Sequence, residues 1–542
     1  MADSGGTGDW PGRGSAAPTT AFARRRARLL ASPRYRWWVL WAVLAGLLSV
    51  NITFTVFVVA LPQVARQLHT TTSTLTWTST APLLAFGVAA PVLGKLGDVW
   101  GHRTLYLWGL AGAALSVVLT ATAPTAGVLI LARALDGVQG AATGATSMAL
   151  VLRVFSSEER VKAMGWWSLV GAGGPVLGIT VGAPVIQYLG WRALFWFELP
   201  LMAVALVIAT LVLPTGGAPG APTTVSGALS ELDWRGSVAL AVAVTAGLLA
   251  LDQAPSWGWS APPTVALAGL SAVSAVWFVL HERVAPRPLV PLRYFRTRNF
   301  TFGVVTQATT NFAYMGGFFL FPILMENVYG YSETRAGLVS TARPLLFSLV
   351  APVAGYAAAV VGERLSAVIG SAVLATSMVL FTRFGAQPSM VLVLTALALS
   401  GVGIGIATPS AAASAANEFR EDELGVMSAA QLLITQIGVV AGIQVMVTVQ
   451  ASGHDVGGVP TSFHRAYLVG AAAAVVAAIS GAFVRNTPRP GRGRFDAGAA
   501  MSAGEAGALE AAVAEAGALE VGPGSGPGGG SGGRSGRTDR RT

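Results

Sequence analysis

Apolar residues in this chain fall into long blocks that are separated by short polar breaks. A helix needs about 20 apolar residues to cross the ~30 Å hydrocarbon core of a bilayer, so each block predicts one membrane-spanning helix. The breaks delimit fourteen blocks: Trp38–Ala60, Trp77–Leu96, Leu105–Thr122, Gly127–Leu152, Ala163–Tyr188, Ala193–Leu213, Ser237–Leu251, Thr264–Leu280, Phe302–Met325, Gly337–Val361, Ser366–Phe381, Met390–Ser410, Val426–Val449 and Ala466–Val484. The pattern therefore predicts an all-α polytopic membrane protein with 14 transmembrane helices.

The predicted spans form groups of six, two and six, and the polar stretches between these groups divide the chain. We predict a basic cytoplasmic tail at 1–37, a six-helix bundle at 38–213, a linker with two extra transmembrane helices at 214–301, a second six-helix bundle at 302–484 and a disordered cytoplasmic tail at 485–542. The last segment ends in a run of Gly, Ser and Arg, which cannot bury enough apolar surface to become ordered.

Composition excludes several other classes of protein. Hydrophobic residues make up 53% of the chain and charged residues only 11%, against roughly a quarter charged in a soluble domain. The net charge of +10 lies in tails and short loops rather than on one soluble face, so we do not expect nucleic acid as a partner. The chain has no Cys, which excludes disulfides and thiolate metal sites. We expect no metal and no cofactor.

The distribution of basic residues predicts the orientation in the membrane. An even number of spans places both termini on one side. Loops and tails on that side contain 23 Lys and Arg residues, against five on the opposite side. Because basic loops are retained on the cytoplasmic side, we predict a multi-pass protein of the inner (cytoplasmic) membrane with both termini in the cytoplasm.

A loop motif lies between the second and third predicted spans. It reads Gly94-Lys95-Leu96-Gly97-Asp98-Val99-Trp100-Gly101-His102-Arg103. Glycines allow a tight turn between closely packed helices, while an acid and a base can bridge helix ends. The motif resembles the cytoplasmic loop signature of the major facilitator superfamily, although Val99 replaces a usual arginine. The resemblance implies a role in conformational gating for Gly94, Asp98, Gly101 and Arg103.

The fourth predicted span contains two charged residues, Arg133 and Asp136, in a stretch that is similar to the family's intramembrane arginine motif. A charge inside an apolar helix is costly unless it has a partner or contacts water, so both are functional candidates. Asp136 lies nine residues after Gly127, which is roughly 13 Å along a helix and near the middle of the bilayer core. We predict that Asp136 and Arg133 couple transport to protons. The alternative is a permanent ion pair that only holds the helix in place.

The fifth predicted span is rich in glycine. Gly174, Gly178 and Gly182 recur every four residues, which makes a smooth ridge for a neighbouring helix, and Pro175 adds a kink. With Gly171 at its start, the stretch resembles the antiporter motif of drug exporters. The resemblance implies a gating role for these five residues, and the alternative is helix packing of the kind found in many membrane proteins.

Polar side chains inside the predicted spans are candidates for binding substrate. Arg343 in the tenth span precedes Pro344, and we expect it to face the cavity and to pair with an acid or attract an anionic group. The alternative is that its long stem carries the charge to the outer interface. The other candidate cavity residues are amides, which could equally bond neighbouring helices: Asn51, Gln307, Asn311, Gln431 and Gln436.

From Trp38 to Val484 the chain is similar to the fourteen-helix drug:proton antiporter family, in which two extra spans separate the halves. One departure is Thr53, which stands where that family has an aspartate ahead of an alanine-leucine-proline sequence. The resemblance implies a monomeric secondary active transporter, not an enzyme, that exports hydrophobic or amphipathic small molecules such as drugs or antibiotics in exchange for protons.

No ATP-binding loop supports a pump, because Gly94-Lys95 is followed by Leu96 rather than Ser or Thr. Secondary transport therefore remains, with small-molecule substrate, protons and the lipid bilayer as partners. Two alternatives stay open: a major facilitator carrier of another substrate or direction, such as a lipid or nutrient carrier, and a membrane sensor that does not transport.

Overall fold

The computed structural model describes residue 32 and residues 34–214, 233–286, 288–385, 387–451 and 459–487. Most of the predicted tails 1–37 and 485–542 lie outside these residues, as does 215–232 of the predicted linker. The predictions for those segments stay predictions.

The described residues are almost entirely helical. Helices α1 to α8 are Tyr35–Gln67, Thr72–Trp100, His102–Thr122, Ala126–Val154, Arg160–Leu189, Trp191–Val212, Trp234–Trp257 and Pro262–Glu282. A 3-10 helix at Leu292–Arg296 follows, and α9 to α15 are Arg298–Asn327, Glu333–Ser340, Ala342–Val361, Glu363–Phe381, Met390–Ala416, Leu424–Ala451 and Val459–Ala482. Each predicted span coincides with one long helix except the tenth.

The tenth predicted span, Gly337–Val361, lies within the apolar segment Arg335–Val361, which is long enough to cross a membrane but contains one interruption. The chain forms the short helix α10, breaks at Thr341 and continues as α11. Pro344 explains the break, because it has no N–H to donate to the carbonyl of Ser340 four residues earlier. Arg343 therefore lies in the first turn of α11 rather than within an unbroken helix.

Eleven of the helical segments in the described residues are long and apolar enough to cross a membrane. The prediction of an all-helical, multi-pass membrane protein is therefore confirmed. Helices α2, α4 and α5 are the long helices outside this group. These are the helices that carry the sequence motifs, and in α4 the charges of Arg133 and Asp136 reduce the mean hydropathy.

The helices pack in two sets with a hairpin between them. Helices α1 to α6 pack on one another and form the N-terminal set, and α9 together with α11 to α15 forms the C-terminal set. The two sets meet mainly where α2 contacts α14 and where α5 contacts α11. The extra hairpin of α7 and α8 contacts α2 and α14 through α7. Each of these two contacts between the sets thus involves a helix that carries a sequence motif, α2 in one case and α5 in the other.

Five interhelical loops of the described residues lie at the end of the molecule where α1 begins and α15 ends, which we call the terminal end. Arg36 at the start of α1 pairs with Glu159, and Glu363 at the start of α12 accepts a hydrogen bond from Thr487 Oγ1 at 3.0 Å. A buried apolar cluster at this end includes residues from both helix sets, the hairpin and the linker that follows it. The two sets are therefore closed against each other at the terminal end.

Candidate functional site

The charged pair in α4 forms a closed cluster with α3. The Arg133 guanidinium donates to the Asp136 carboxylate, and Ser116 Oγ of α3 hydrogen-bonds to the same carboxylate. Ser116 Oγ also lies 2.8 Å from the carbonyl oxygen of Ala132. The side chains of Arg133 and Asp136 are only 4% and 14% exposed. This carboxylate is balanced by a cation on its own helix and by a hydroxyl of the neighbouring helix.

The candidate amides divide into two groups. Gln431 Nε2 of α14 donates to Gln307 Oε1 of α9, and both side chains are buried. Asn51 and Asn311 donate to carbonyls one turn earlier in their own helices, Leu47 and Gln307, at 2.8 Å each. Gln436 is partly exposed in α14. Gln307 and Gln431 thus join helices within the C-terminal set, while Asn51 and Asn311 bond their own backbones.

Arg343 is completely enclosed within the C-terminal helix set. Its exposure is 0%, and its guanidinium carbon lies 4.5 Å from the centre of the Tyr314 ring. Nε donates to Ser400 Oγ at 2.6 Å, whereas Nη1 and Nη2 have no hydrogen-bond partner among the described residues. A Cβ on Gly317 would lie within 3.2 Å of both nitrogens. The structure therefore places Arg343 neither at an interface nor beside an acid, but among aromatic and small residues.

The glycine-rich face of α5 packs closely against α1 at one of its positions. A Cβ added to Gly174 would lie 2.7 Å from Cβ of Asn51, so this contact requires glycine. Gly178 and Gly182 are buried, while Gly171 faces open space. The helix continues through position 175 to Leu189. The ridge predicted from the sequence thus forms a close helix contact at Gly174, as the packing alternative also expected.

Asp98 near the end of α2 reaches across to the start of α14 in the other helix set. Its Oδ1 accepts a hydrogen bond from Gly425 N–H at 3.1 Å, and Oδ2 accepts one from Val426 N–H at 2.7 Å. These amides lie in the first turn of a helix, where N–H groups have no intrahelical partner. His102 Nε2 and Arg153 Nη2 lie 3.0 and 3.5 Å from Oδ1. Asp98 therefore joins the two sets at the terminal end.

The remaining candidates of the loop motif act within the N-terminal set. Gly101 separates α2 from α3 and has φ +101°, a conformation that favours glycine. Arg103 in the first turn of α3 donates through Nη2 to the Thr210 carbonyl at the end of α6, at 2.9 Å. Gly101 thus shapes the turn, and Arg103 anchors it to α6.

Glycines also make the two close approaches between the helix sets. A Cβ on Gly94 of α2 would lie 2.1 Å from Cβ of Ala429 in α14. A Cβ on Gly165 of α5 would lie 2.6 Å from the Ala351 carbonyl in α11, and one on Gly355 of α11 would lie 2.7 Å from the Val161 carbonyl in α5. Both contacts depend on the absence of a side chain.

Two features of the terminal end were missed by sequence reasoning. Arg160, one of the 23 basic residues counted for the orientation, donates through Nη1 to the Ala416 carbonyl at 3.2 Å and to Asn417 Oδ1 at 3.1 Å in the other helix set. Glu282, the last residue of α8, accepts hydrogen bonds from Leu289 N–H and Val290 N–H of the following linker at 3.1 and 3.4 Å. No local sequence signal predicts either contact, because their partners are distant in sequence or are backbone groups.

The sequence profile of the Major Facilitator Superfamily matches this chain at residues 42–443 and 318–521. The chain belongs to the Major Facilitator Superfamily. This match extends across both helix sets and the hairpin, so the family resemblance inferred from the motifs is confirmed.

Several curated relatives in this superfamily are named for resistance or export. The tetracenomycin C resistance and export protein of Streptomyces glaucescens is 29% identical over 63% of this chain and 62% of its own length. A multidrug resistance protein of Mycobacterium tuberculosis is 28% identical over 65% of this chain and 64% of its own length. A puromycin resistance protein of Streptomyces alboniger is 31% identical over 62% of this chain and 67% of its own length. The chain thus matches under two thirds of the length of the first two relatives.

Solved structures of the superfamily share the fold at low sequence identity. The human organic anion transporter MFSD10 aligns over 83% of this chain and 100% of its own, with a TM-score of 0.59 and 18% identity. A proton:xylose symporter aligns over 81% of this chain and 94% of its own, with a TM-score of 0.59 and 14% identity. The all-helical major facilitator fold is therefore shown.

Proposed function

We propose that this protein is a secondary active transporter that exports hydrophobic or amphipathic small molecules in exchange for protons. The names of the resistance and export relatives support the direction and the substrate class. The observation that carries proton coupling is the buried cluster of Arg133, Asp136 and Ser116 in the N-terminal helix set. We take the protein to be a monomer of the cytoplasmic membrane with fourteen spans.

Proton coupling requires an acid that can change its charge inside the membrane. Burial disfavours a charged carboxylate while a neighbouring arginine favours it, so opposed effects act on Asp136. Protonation would remove the negative charge that holds the Arg133 guanidinium. That guanidinium would then be free to rearrange, and the helix sets could rock around a central site.

Alternating access in this proposal depends on the contacts at the terminal end, which is the cytoplasmic end in the predicted orientation. Asp98 and Arg160 each bridge the two helix sets by hydrogen bonds to backbone carbonyls or amides. These contacts belong to a state that is closed to the cytoplasm. The cycle must break them to admit substrate and restore them after release.

Inside-out membrane vesicles provide the test of this function. With an acidic interior, vesicles that contain the protein should take up a hydrophobic cationic dye and release protons. Collapse of the pH gradient with nigericin should abolish uptake. Uptake that continues after collapse would contradict proton exchange, and absence of uptake for a panel of amphipathic dyes would favour another substrate or direction.

The predicted topology can be tested with introduced cysteines, because the chain has no native Cys. Ser256 is exposed near the end of α7 that is remote from the terminal end, and we expect Ser256→Cys to react with an impermeant maleimide from outside the cell. Ser156→Cys, exposed in the loop between α4 and α5, is the matched control and should react only after the membrane is opened. The reverse labelling pattern would overturn the proposed orientation.

Arg343→Gln tests the proposed role of the buried guanidinium in binding an anionic group during the cycle. Removing an uncompensated buried charge need not destabilise the resting state, so we expect an unchanged or higher unfolding temperature. Transport should nevertheless fall about tenfold or more, which corresponds to roughly 1.4 kcal/mol. The exposed Arg335, whose guanidinium lies over Tyr331, offers Arg335→Gln as the control. Parental transport of every tested substrate by Arg343→Gln would contradict the role.

A further inference from the structure

A groove of about 570 Å³ lies between the two helices of the extra hairpin, towards the terminal end. Its walls are the apolar side chains of Val238, Ala239 and Val242 from α7 and Val273 from α8. Arg235 lies in the first turn of α7, where the groove approaches the terminal end. The size lies within the ~300–1,000 Å³ typical of small-molecule sites. The groove therefore combines an apolar body with a cationic end.

The hairpin presents this groove to the lipid rather than to the transport path. Only 11% of the residues in the apolar 18-residue stretch of α8 are buried, the lowest share of the eleven apolar segments. Val238 and Val273 are 60% and 69% exposed. Apolar side chains that are exposed at membrane depth contact acyl chains. A lipid chain is therefore the occupant that the surroundings supply.

Two tryptophans border the groove, and one of them is held in place. Trp277 stacks on His281 with ring centres 5.1 Å apart and an angle of 3° between the ring planes. His281 Nε2 lies 2.8 Å from Asp233 Oδ2, while Asp233 Oδ1 accepts a hydrogen bond from Gly236 N–H at 3.1 Å. Tryptophan is typical of the level of lipid headgroups. These contacts fix the orientation of Trp277 at the rim, at a level suited to a lipid headgroup.

Arg235 is the cation of this rim. It is exposed, and among the described residues no acid forms an ion pair with it. Asp233, the acid closest in sequence, is engaged by His281 and by the start of α7. A guanidinium binds phosphate oxygens through two parallel hydrogen bonds. Basic pockets between membrane helices on the cytoplasmic side bind anionic headgroups.

We infer that the groove binds one anionic phospholipid, with an acyl chain along Val238, Val242 and Val273 and its phosphate on Arg235. The inference goes beyond the proposed export function and does not depend on it. Helix α7 packs on α2 and α14, and Val244 and Leu248 of α7 form a buried cluster with Leu433 of α14. A lipid in the groove would therefore stiffen the hairpin against the helices that close the terminal end.

Native mass spectrometry of the full-length protein, purified in detergent with equal amounts of dioleoyl phosphatidylglycerol and dioleoyl phosphatidylcholine, tests the inference. We expect the parental protein to retain phosphatidylglycerol preferentially and Arg235→Gln to retain one molecule fewer. Arg364, exposed at the start of α12 at the same end, supplies Arg364→Gln as the matched control, which should behave as the parent. Val242→Trp should also lose the molecule by filling the groove.

A second measurement, the unfolding temperature with added lipid, distinguishes variants that have lost the lipid site from variants that retain little lipid because they fold poorly. Phosphatidylglycerol should raise the unfolding temperature of the parent and of Arg364→Gln more than phosphatidylcholine does, and Arg235→Gln should lose at least about half of this difference. Arg235→Lys keeps the positive charge and should therefore keep most of the difference between the two lipids. Equal retention of the two lipids, unchanged retention in Arg235→Gln, or retention that survives Val242→Trp would each overturn the inference. Transport is not a readout, so failure of the export proposal would not affect the result.

Discussion

Asp136→Asn is expected to abolish transport driven by a pH gradient while the protein still binds its substrate. An amide cannot carry a proton between the two sides of the membrane, so the coupling step is lost even if the helix packing remains. In proteoliposomes with an imposed gradient, the rate should fall to that of protein-free liposomes. Exchange of labelled for unlabelled substrate without a gradient should continue, because it needs no net proton movement.

The competing explanation is that Arg133 and Asp136 form a purely structural pair. A double variant distinguishes this explanation from proton coupling. Asp136→Asn alone leaves the buried Arg133 charge without the opposing carboxylate, which can cost about 3–5 kcal/mol and impair folding. Arg133→Gln combined with Asp136→Asn removes both charges. If the pair is structural, this double variant should recover gradient-driven transport. If Asp136 carries the proton, the double variant should fold and exchange substrate but stay uncoupled. Recovery would therefore remove Asp136 as the coupling residue.

Gly94→Ala is expected to prevent closure of the terminal end. The added Cβ would lie 2.1 Å from Cβ of Ala429 and 3.2 Å from the Gly425 carbonyl, so α2 and α14 must separate. Overpacking of this kind costs about 1–3 kcal/mol, which changes the ratio of closed to open states by roughly five-fold to 150-fold. We expect a comparable loss of transport, since the cycle passes through the closed state.

Ala429, whose Cβ the new methyl group would meet, supplies a direct control. Ala429→Gly removes the group that the new methyl would meet, so the double variant with Gly94→Ala should regain most of the transport. The state of the end can be followed by maleimide labelling of Ser428→Cys, because Ser428 is fully buried when the end is closed. Labelling should be faster in Gly94→Ala and return towards the parental rate in the double variant. A double variant as impaired as Gly94→Ala would show that the close contact is not the cause.

Contacts within a motif were predictable from the sequence, whereas contacts between motifs were not. The spacing of Arg133 and Asp136 places them on neighbouring faces of one helix, and they do pair. Asp98 was expected to bridge helix ends at its own loop, but its carboxylate binds amides of α14, more than 300 residues away in the sequence. A local motif indicates that a polar group needs a partner, and only the packing of the chain supplies that partner.

The same limit applies to the amides and to Arg343. From the sequence, Gln307 and Gln431 were two candidates for a cavity, and in the structure they bond each other between α9 and α14. Arg343 was expected to face the cavity or to reach the outer interface, and it lies instead beneath Tyr314 and Ser400 with no exposure. The break caused by Pro344 orients this residue, and a hydropathy pattern contains no information on such an orientation.

The sequence alone determined the membrane environment, the positions of the long helices and the superfamily. Hydrophobic length and local motifs suffice for these, because a bilayer requires apolar helices of nearly constant length. The tertiary structure alone decided which helices meet, which end of the molecule is closed, and where a groove opens on the hairpin. These depend on close approaches at residues such as Gly94 and Gly165, and lipid exerts no hydrophobic force that would select one helix pairing over another. Shape and hydrogen bonding between distant segments make that selection, and both arise only when the chain is folded.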